Sequence, residues 1–198
     1  MATLDKDPRA LVIVAHPDLH GASRVNRCWV EELERHPDEF LVHDIYTAAT
    51  DGSFAPDAVA AEQALLAAHE LVVFQFPVYW YSCPPLLRAW EDAVYAFGWA
   101  YGNEGAAPGE PGRMVAGKRF AYAVSAGDVE EHYHPDGMVG DTLRNLLAPF
   151  FATARYLEAD CEPEPFAIYG ADDVLTDSEI GESARAYLGW LRDLVRKH

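Results

Sequence analysis

The sequence predicts an α/β fold: a doubly wound, five-stranded parallel sheet, order 2-1-3-4-5, with helices on both faces. Three observations predict it. Short, nearly continuous apolar runs alternate with longer segments of helical period, the pattern of strand–helix–strand crossovers. The runs are apolar at successive positions, as in strands buried on both faces. The polar and aromatic loops follow the first, third and fourth runs. In the five-stranded order those three ends form one crevice, where ligands bind.

Residues 1–9 read as a frayed terminus. Leu11 to Ala15 is the first strand, and His16 to Ser23 a polar loop. A helix follows, with Val25, Trp29 and Leu33 on one stripe beside Cys28. Phe40 to Ile45 is the second strand, and Asp51-Gly52 signals a turn. Asp57 to His69 is an Ala-rich helix leading into the third strand, Leu71 to Phe76. Val78-Tyr79-Trp80-Tyr81-Ser82 is an aromatic loop, and Pro84-Pro85 restarts the chain as a helix. Leu86, Leu87, Trp90, Val94 and Phe97 form that helix's apolar stripe.

Asn103 to Gly117, rich in Gly and Pro, reads as an exposed excursion. Arg119 to Ser125 is the fourth strand, Ala126 to Gly140 a polar loop, and Asp141 to Arg155 one helix. The fifth strand lies near 155–160 or 167–169. Glu182 to His198 closes the chain, with Tyr187, Leu188, Leu191 and Leu194 inward. Residues 1–198 are expected to form a single domain.

Composition excludes several classes. The formal charge is −17 and the pI near 4.7, against nucleic acid and anionic membrane surfaces. No apolar run nears the ~20 residues that span a bilayer, so no membrane insertion is expected. Cys28, Cys83 and Cys161 are odd in number and form no CxxC pair, which fits a reduced, cytoplasmic setting. No Gly-x-Gly-x-x-Gly follows the first strand and there is no Gly-x-Ser-x-Gly elbow. Asp128, Glu130, Glu131, His132 and His134 lack fixed metal-ligand spacing, so no metal is expected.

The segment after His16 opens a helix whose N-terminal N–H groups and dipole suit a phosphate, with Ser23 offering a hydroxyl, His16 a ring N–H and Asn26 an amide. The aromatic loop offers a flat wall suited to a flavin ring.

The run Phe-Pro-Val-Tyr-Trp-Tyr-Ser-x-Pro-Pro-Leu-Leu-Arg-x-Trp, followed by Gly98-Trp99-Ala100-Tyr101-Gly102, closely resembles the flavodoxin-like NAD(P)H:quinone oxidoreductases. The resemblance is strongest to the bacterial subgroup that includes the ancillary protein of glutathione-regulated potassium efflux and the modulator-of-drug-activity type, and it runs from about Leu11 to Gly170. It implies a flavodoxin-like fold and a bound flavin, FMN by analogy or FAD as the alternative. NAD(P)H is the cosubstrate it implies, and a quinone-like acceptor takes two electrons in ping-pong order.

The His-Pro-x(5)-Ser-x-x-Asn spacing carries over the family's phosphate segment as His16, Ser23 and Asn26. Pro77, Val78 and Tyr79 would line the flavin through their backbone, with Trp80 touching the ring. Ser125, Ala126, Gly127 and Asp128 stand where the family has Thr-Thr-Gly-Gly; Asp128 departs from it, and a carboxylate near the flavin edge would either raise the backbone strain or shift the flavin's redox potential. Tyr133 aligns with an aromatic that assists charge transfer. The histidine that partners it would fall near Val139, so that pairing is not preserved, and His132 and His134 are the candidates to take its place. The resemblance further implies a homodimer. Two other readings are a regulatory subunit of a potassium-efflux transporter and a flavin-binding member that has lost catalysis.

Overall fold

The computed structural model describes residues 9–172 and 174–197. The parallel sheet has the order β2-β1-β3-β4-β5, with β6 also paired to β4. The strands are β1 (Ala10–Val14), β2 (Phe40–Asp44), β3 (Leu71–Pro77), β4 (Arg119–Ser125), β5 (Asp160–Cys161) and β6 (Phe166–Ile168). Both expected locations of the last strand are therefore used. β5 pairs with the start of β4 and β6 with its end. Pro163 and Pro165, which carry no N–H, fall in the gap between them.

Alternation along the strands makes two cores. Leu11, Ile13, Val72, Phe74, Phe76, Phe120, Tyr122 and Val124 face α2 (Pro56–Ala68), α3 (Pro85–Val94), α4 (Leu143–Leu146) and α5 (Ala148–Tyr156). Ala10, Val12, Val14, Leu71, Val73, Ala121 and Ala123 face α1 (Val25–Leu33) and α6 (Asp177–Arg196). Burial on both sides explains why the strands read as continuous apolar runs.

Four expectations change. The helix after Pro85 ends at Val94, and Phe97 is 76% exposed against Tyr101 rather than inward. The single helix over 141–155 is broken at Leu147, because Pro149 cannot donate to the helical ladder and clashes with the preceding turn. The closing helix starts five residues early, at Asp177, where Thr176 and Glu179 form a capping box. The excursion over 103–117 is anchored: Ala106, Val115 and Ala116 are buried, and Arg113 donates to the Ala106 carbonyl and the Glu158 carboxylate.

Candidate functional site

The carboxyl ends of β1, β3 and β4 bring the three loops together. Between them lies a cavity of about 290 Å³ lined by His16, Ser23, Arg24, Asn26, Pro77, Tyr79, Ser125 and Asp172, among others. A larger cavity, about 750 Å³, lies at the opposite, amino ends of the strands near Arg9, Leu71 and Arg119, away from these loops.

The first loop collects hydrogen-bond donors at the start of α1. The Asp18 N–H donates to His16 Nδ1 at 3.1 Å. A neutral imidazole accepting there carries its proton on Nε2. Burial lowers the His16 pKa, against the opposing pull of Asp18 and Asp44, so the ring is a neutral donor. Ser23 Oγ accepts the Arg27 N–H at 3.2 Å, covering one orphan donor of α1. Among the described residues, the N–H groups of Arg24, Val25 and Asn26 donate to no protein acceptor. They are left for a ligand at the positive end of the helix dipole. Arg24 fastens this end to the start of α6, donating to the Leu175 carbonyl (2.9 Å) and to Asp177 (2.8 Å).

Asn26 behaves differently from the expectation that its amide meets the phosphate. Its side chain is 2% exposed and its Nδ2 donates to Ser125 Oγ at 2.9 Å. Gln75 Nε2 in turn donates to the Asn26 carbonyl at 3.1 Å and to Asn26 Oδ1 at 3.3 Å. Sequence reasoning missed Gln75. Its signal was present: one amide inside Leu-Val-Val-Phe-Gln-Phe-Pro, a strand otherwise apolar.

The aromatic loop is a tight turn from Tyr79 to Ser82, each donating its N–H to the other's carbonyl (3.2 and 3.0 Å). Trp80 (φ +47°) and Tyr81 (φ +61°) both sit in the left-handed region. The Val78 N–H is taken by the Ser125 carbonyl at 2.8 Å, so neither Val78 nor Tyr79 has a main-chain donor free for a ring. Among the described residues, the N–H groups of Trp80 and Tyr81 donate to no protein acceptor. Trp80 is 93% exposed, so in the single chain its ring lines no wall; Tyr79, which lines the cavity, does.

In the third loop Ala126, Gly127 and Asp128 are zipped to the segment after β6. Their carbonyls accept from Ala171 (2.9 Å), Asp172 (3.2 Å) and Gly170 (2.8 Å). Gly127 is close-packed, because an added Cβ would lie 2.2 Å from an Asp172 carboxylate oxygen. Asp128 is not among the described residues with positive φ, so the expected backbone strain is absent. Its carboxylate accepts from the Val129 N–H (2.8 Å) and from His132 Nδ1 (2.6 Å), and the His132 bond holds its pKa below the ordinary value. Tyr133 is buried and packs on Tyr169, its ring centroid 5.3 Å away. Burial raises the Tyr133 hydroxyl pKa, with Asp128, Tyr81 and Asp172 adding to the rise. Among the described residues no group of three metal-ligating side chains occurs.

A model of the flavodoxin-like fold family matches residues 8–191. The chain belongs to this family. Within it, the chain is similar to an uncharacterized NAD(P)H oxidoreductase, YdeQ, of Bacillus subtilis, at 41% identity over 180 residues, 91% of this chain and 84% of the relative. It is similar to the glutathione-regulated potassium-efflux system ancillary protein KefG of Cronobacter sakazakii, at 36% identity over 190 residues and 96% of each chain. Among solved structures it resembles general stress protein 14 of Treponema denticola, a complex with FMN, at 39% identity and a TM-score of 0.83, covering 94% of this chain and 99% of that one.

Proposed function

We propose that this protein is an FMN-dependent NAD(P)H:quinone oxidoreductase, an enzyme working as a homodimer. The observation that carries the reading is the convergence of uncommitted donors on one cavity: the amides of Arg24, Val25 and Asn26 at the start of α1, the Nε2–H of a neutral His16, and hydroxyls of Ser23 and Ser125. That donor set fits a phosphate and a polyhydroxyl tail. The complex of a 39% identical structure with FMN supports the same cofactor here, and likeness to NAD(P)H oxidoreductase YdeQ supports the cosubstrate.

When bound, FMN would supply the redox chemistry, two-electron transfer from NAD(P)H to a quinone-like acceptor in ping-pong order. The protein's part is to bind, orient and exclude water. The α1 amides, Ser23 and His16 hold the tail. Tyr79 provides the flat side of the slot, and the free N–H groups of Trp80 and Tyr81 are dipoles available for charge that builds on a ring. Tyr133 keeps its proton at neutral pH and Asp128 fixes His132 at the rim, the pair we assign to proton supply.

Steady-state rates with varied NADPH and a soluble benzoquinone test this. Parallel double-reciprocal lines are expected; intersecting lines, or no quinone reduction, contradict it. A second reading rests on the likeness to KefG: an ancillary subunit of a potassium-efflux transporter. Co-purification with such a transporter from detergent-solubilised membranes supports it, and clean separation opposes it.

A further inference from the structure

Buried in the sheet beneath the cavity, Gln75, Asn26 and Ser125 form a hydrogen-bonded chain whose direction is fixed. The main-chain carbonyl of Asn26 can only accept, so the Gln75 atom 3.1 Å from it is the Nε2 donor. The same NH₂ lies 3.3 Å from the Asn26 side chain, which must therefore present Oδ1. Asn26 then has only its NH₂ to offer Ser125, and it takes a lone pair of Oγ at 2.9 Å. Ser125 is left with its proton. Among the described residues that proton meets no protein acceptor, and Ser125 lines the cavity. Gln75 is wholly buried, yet its Oε1 has no partner among the described residues. An unpaired buried acceptor destabilises a fold, so packing alone does not account for an amide at this position.

We infer that Gln75 is a positioning residue of the cofactor site, setting Asn26 so that the Ser125 hydroxyl donates into the cavity, toward an acceptor oxygen of the phosphate–ribityl tail. The inference rests on the flavin reading. It reaches through two residues: Gln75 lies on the α1 side of β3, in register with Val14 and Ala123. Without the Gln75 donor, the Asn26 amide is free to turn over and present Oδ1 to Ser125. The hydroxyl would then donate to Asn26 and withdraw its proton from the cavity. An acid at position 75 makes the relay switchable, since a carboxylate cannot donate to the Asn26 carbonyl whereas a protonated carboxyl can.

The test is FMN affinity, read by quenching of flavin fluorescence, together with the thermal midpoint of the FMN-free protein. Gln75→Leu is expected to weaken FMN binding on the order of tenfold, the loss of about one hydrogen bond. Its FMN-free midpoint should be unchanged or higher, since an orphan acceptor is gone. For Gln75→Glu, the deficit relative to wild type measured at the same pH should shrink as pH falls. Wild-type affinity in Gln75→Leu, or an affinity loss matched by a lower midpoint with no recovery of Gln75→Glu in acid, would overturn the inference. Failure of the wild-type protein to bind FMN would overturn the flavin reading and this inference together.

Discussion

His16 follows β1 by two residues, with its ring mostly buried and its proton on Nε2. Its folded pKa is lowered, chiefly by desolvation. The unfolded chain therefore takes up a proton near pH 6.5 that the folded chain refuses until lower pH. Stability is full above the unfolded value and falls as pH drops through that window. Wild type should lose thermal midpoint between pH 7.5 and 5.5, and His16→Gln should lose less over the same interval. Equal losses would remove His16 from the account. The place of His16 and Ser23 beside the cavity follows from a strand end and a helix start, whereas their assignment to a phosphate came from the resemblance. The partners of Asn26 and Asp128 were not legible in the sequence. Asn26 spends its side chain on Ser125, 99 residues away, which only the folded register brings close, and Asp128 spends its own on His132, four residues on, which the short 3-10 turn Glu130–His132 brings back. Gln75 was visible as an oddity, but its use depends on a contact 49 residues away in sequence.

The chain contains the same turn twice, with opposite chemistry. Thr50 to Ser53 closes through mutual backbone bonds with Asp51 (φ +50°) and Gly52 (φ +74°) in the left-handed region. Those residue types tolerate that region, and Asp-Gly announced the turn in the sequence. Tyr79 to Ser82 has the same bonds and signs of φ, carried by Trp80 and Tyr81. Bulky side chains there cost about 1 kcal/mol or more each. No propensity rule reads Trp-Tyr as such a turn, so its geometry was hidden although its location was clear. Replacing both, as Trp80→Asn with Tyr81→Gly, should stabilise the protein by about 1–2 kcal/mol in urea titration. A destabilised double variant would show that the two rings pack in the folded state more than their exposure indicates. The third loop is tuned oppositely, by close approach. A Cβ at Gly137 would meet the His132 carbonyl oxygen at 2.5 Å and the Glu131 carbonyl oxygen at 2.8 Å. Gly137→Ala should deform the turn that carries Tyr133 and cost about 2 kcal/mol, measured by denaturant midpoint.

The topology of the whole molecule was the most legible feature, because alternating apolar runs and helical stripes leave few right-handed ways to wind. What composition hid was the splitting of the last strand and of the helix before it. Prolines in the gap between β5 and β6, and Pro149, set those breaks locally while the global pattern stayed the same. The net charge of −17 acts at this scale too. It repels an anionic cofactor from a distance, and Asp172 in the cavity lining repeats that repulsion at close range. Repulsion between like charges is screened by salt. The association rate for FMN should therefore rise with ionic strength in stopped-flow quenching; a falling rate would mean that a local positive field dominates. The most direct measurement is a visible spectrum of the purified protein, reconstituted with FMN if needed, before and after NAD(P)H under anaerobic conditions. Oxidised-flavin bands that bleach, and return when a quinone is added, are expected. A protein that takes up no flavin, or holds one that NAD(P)H does not bleach, would contradict the flavin reading.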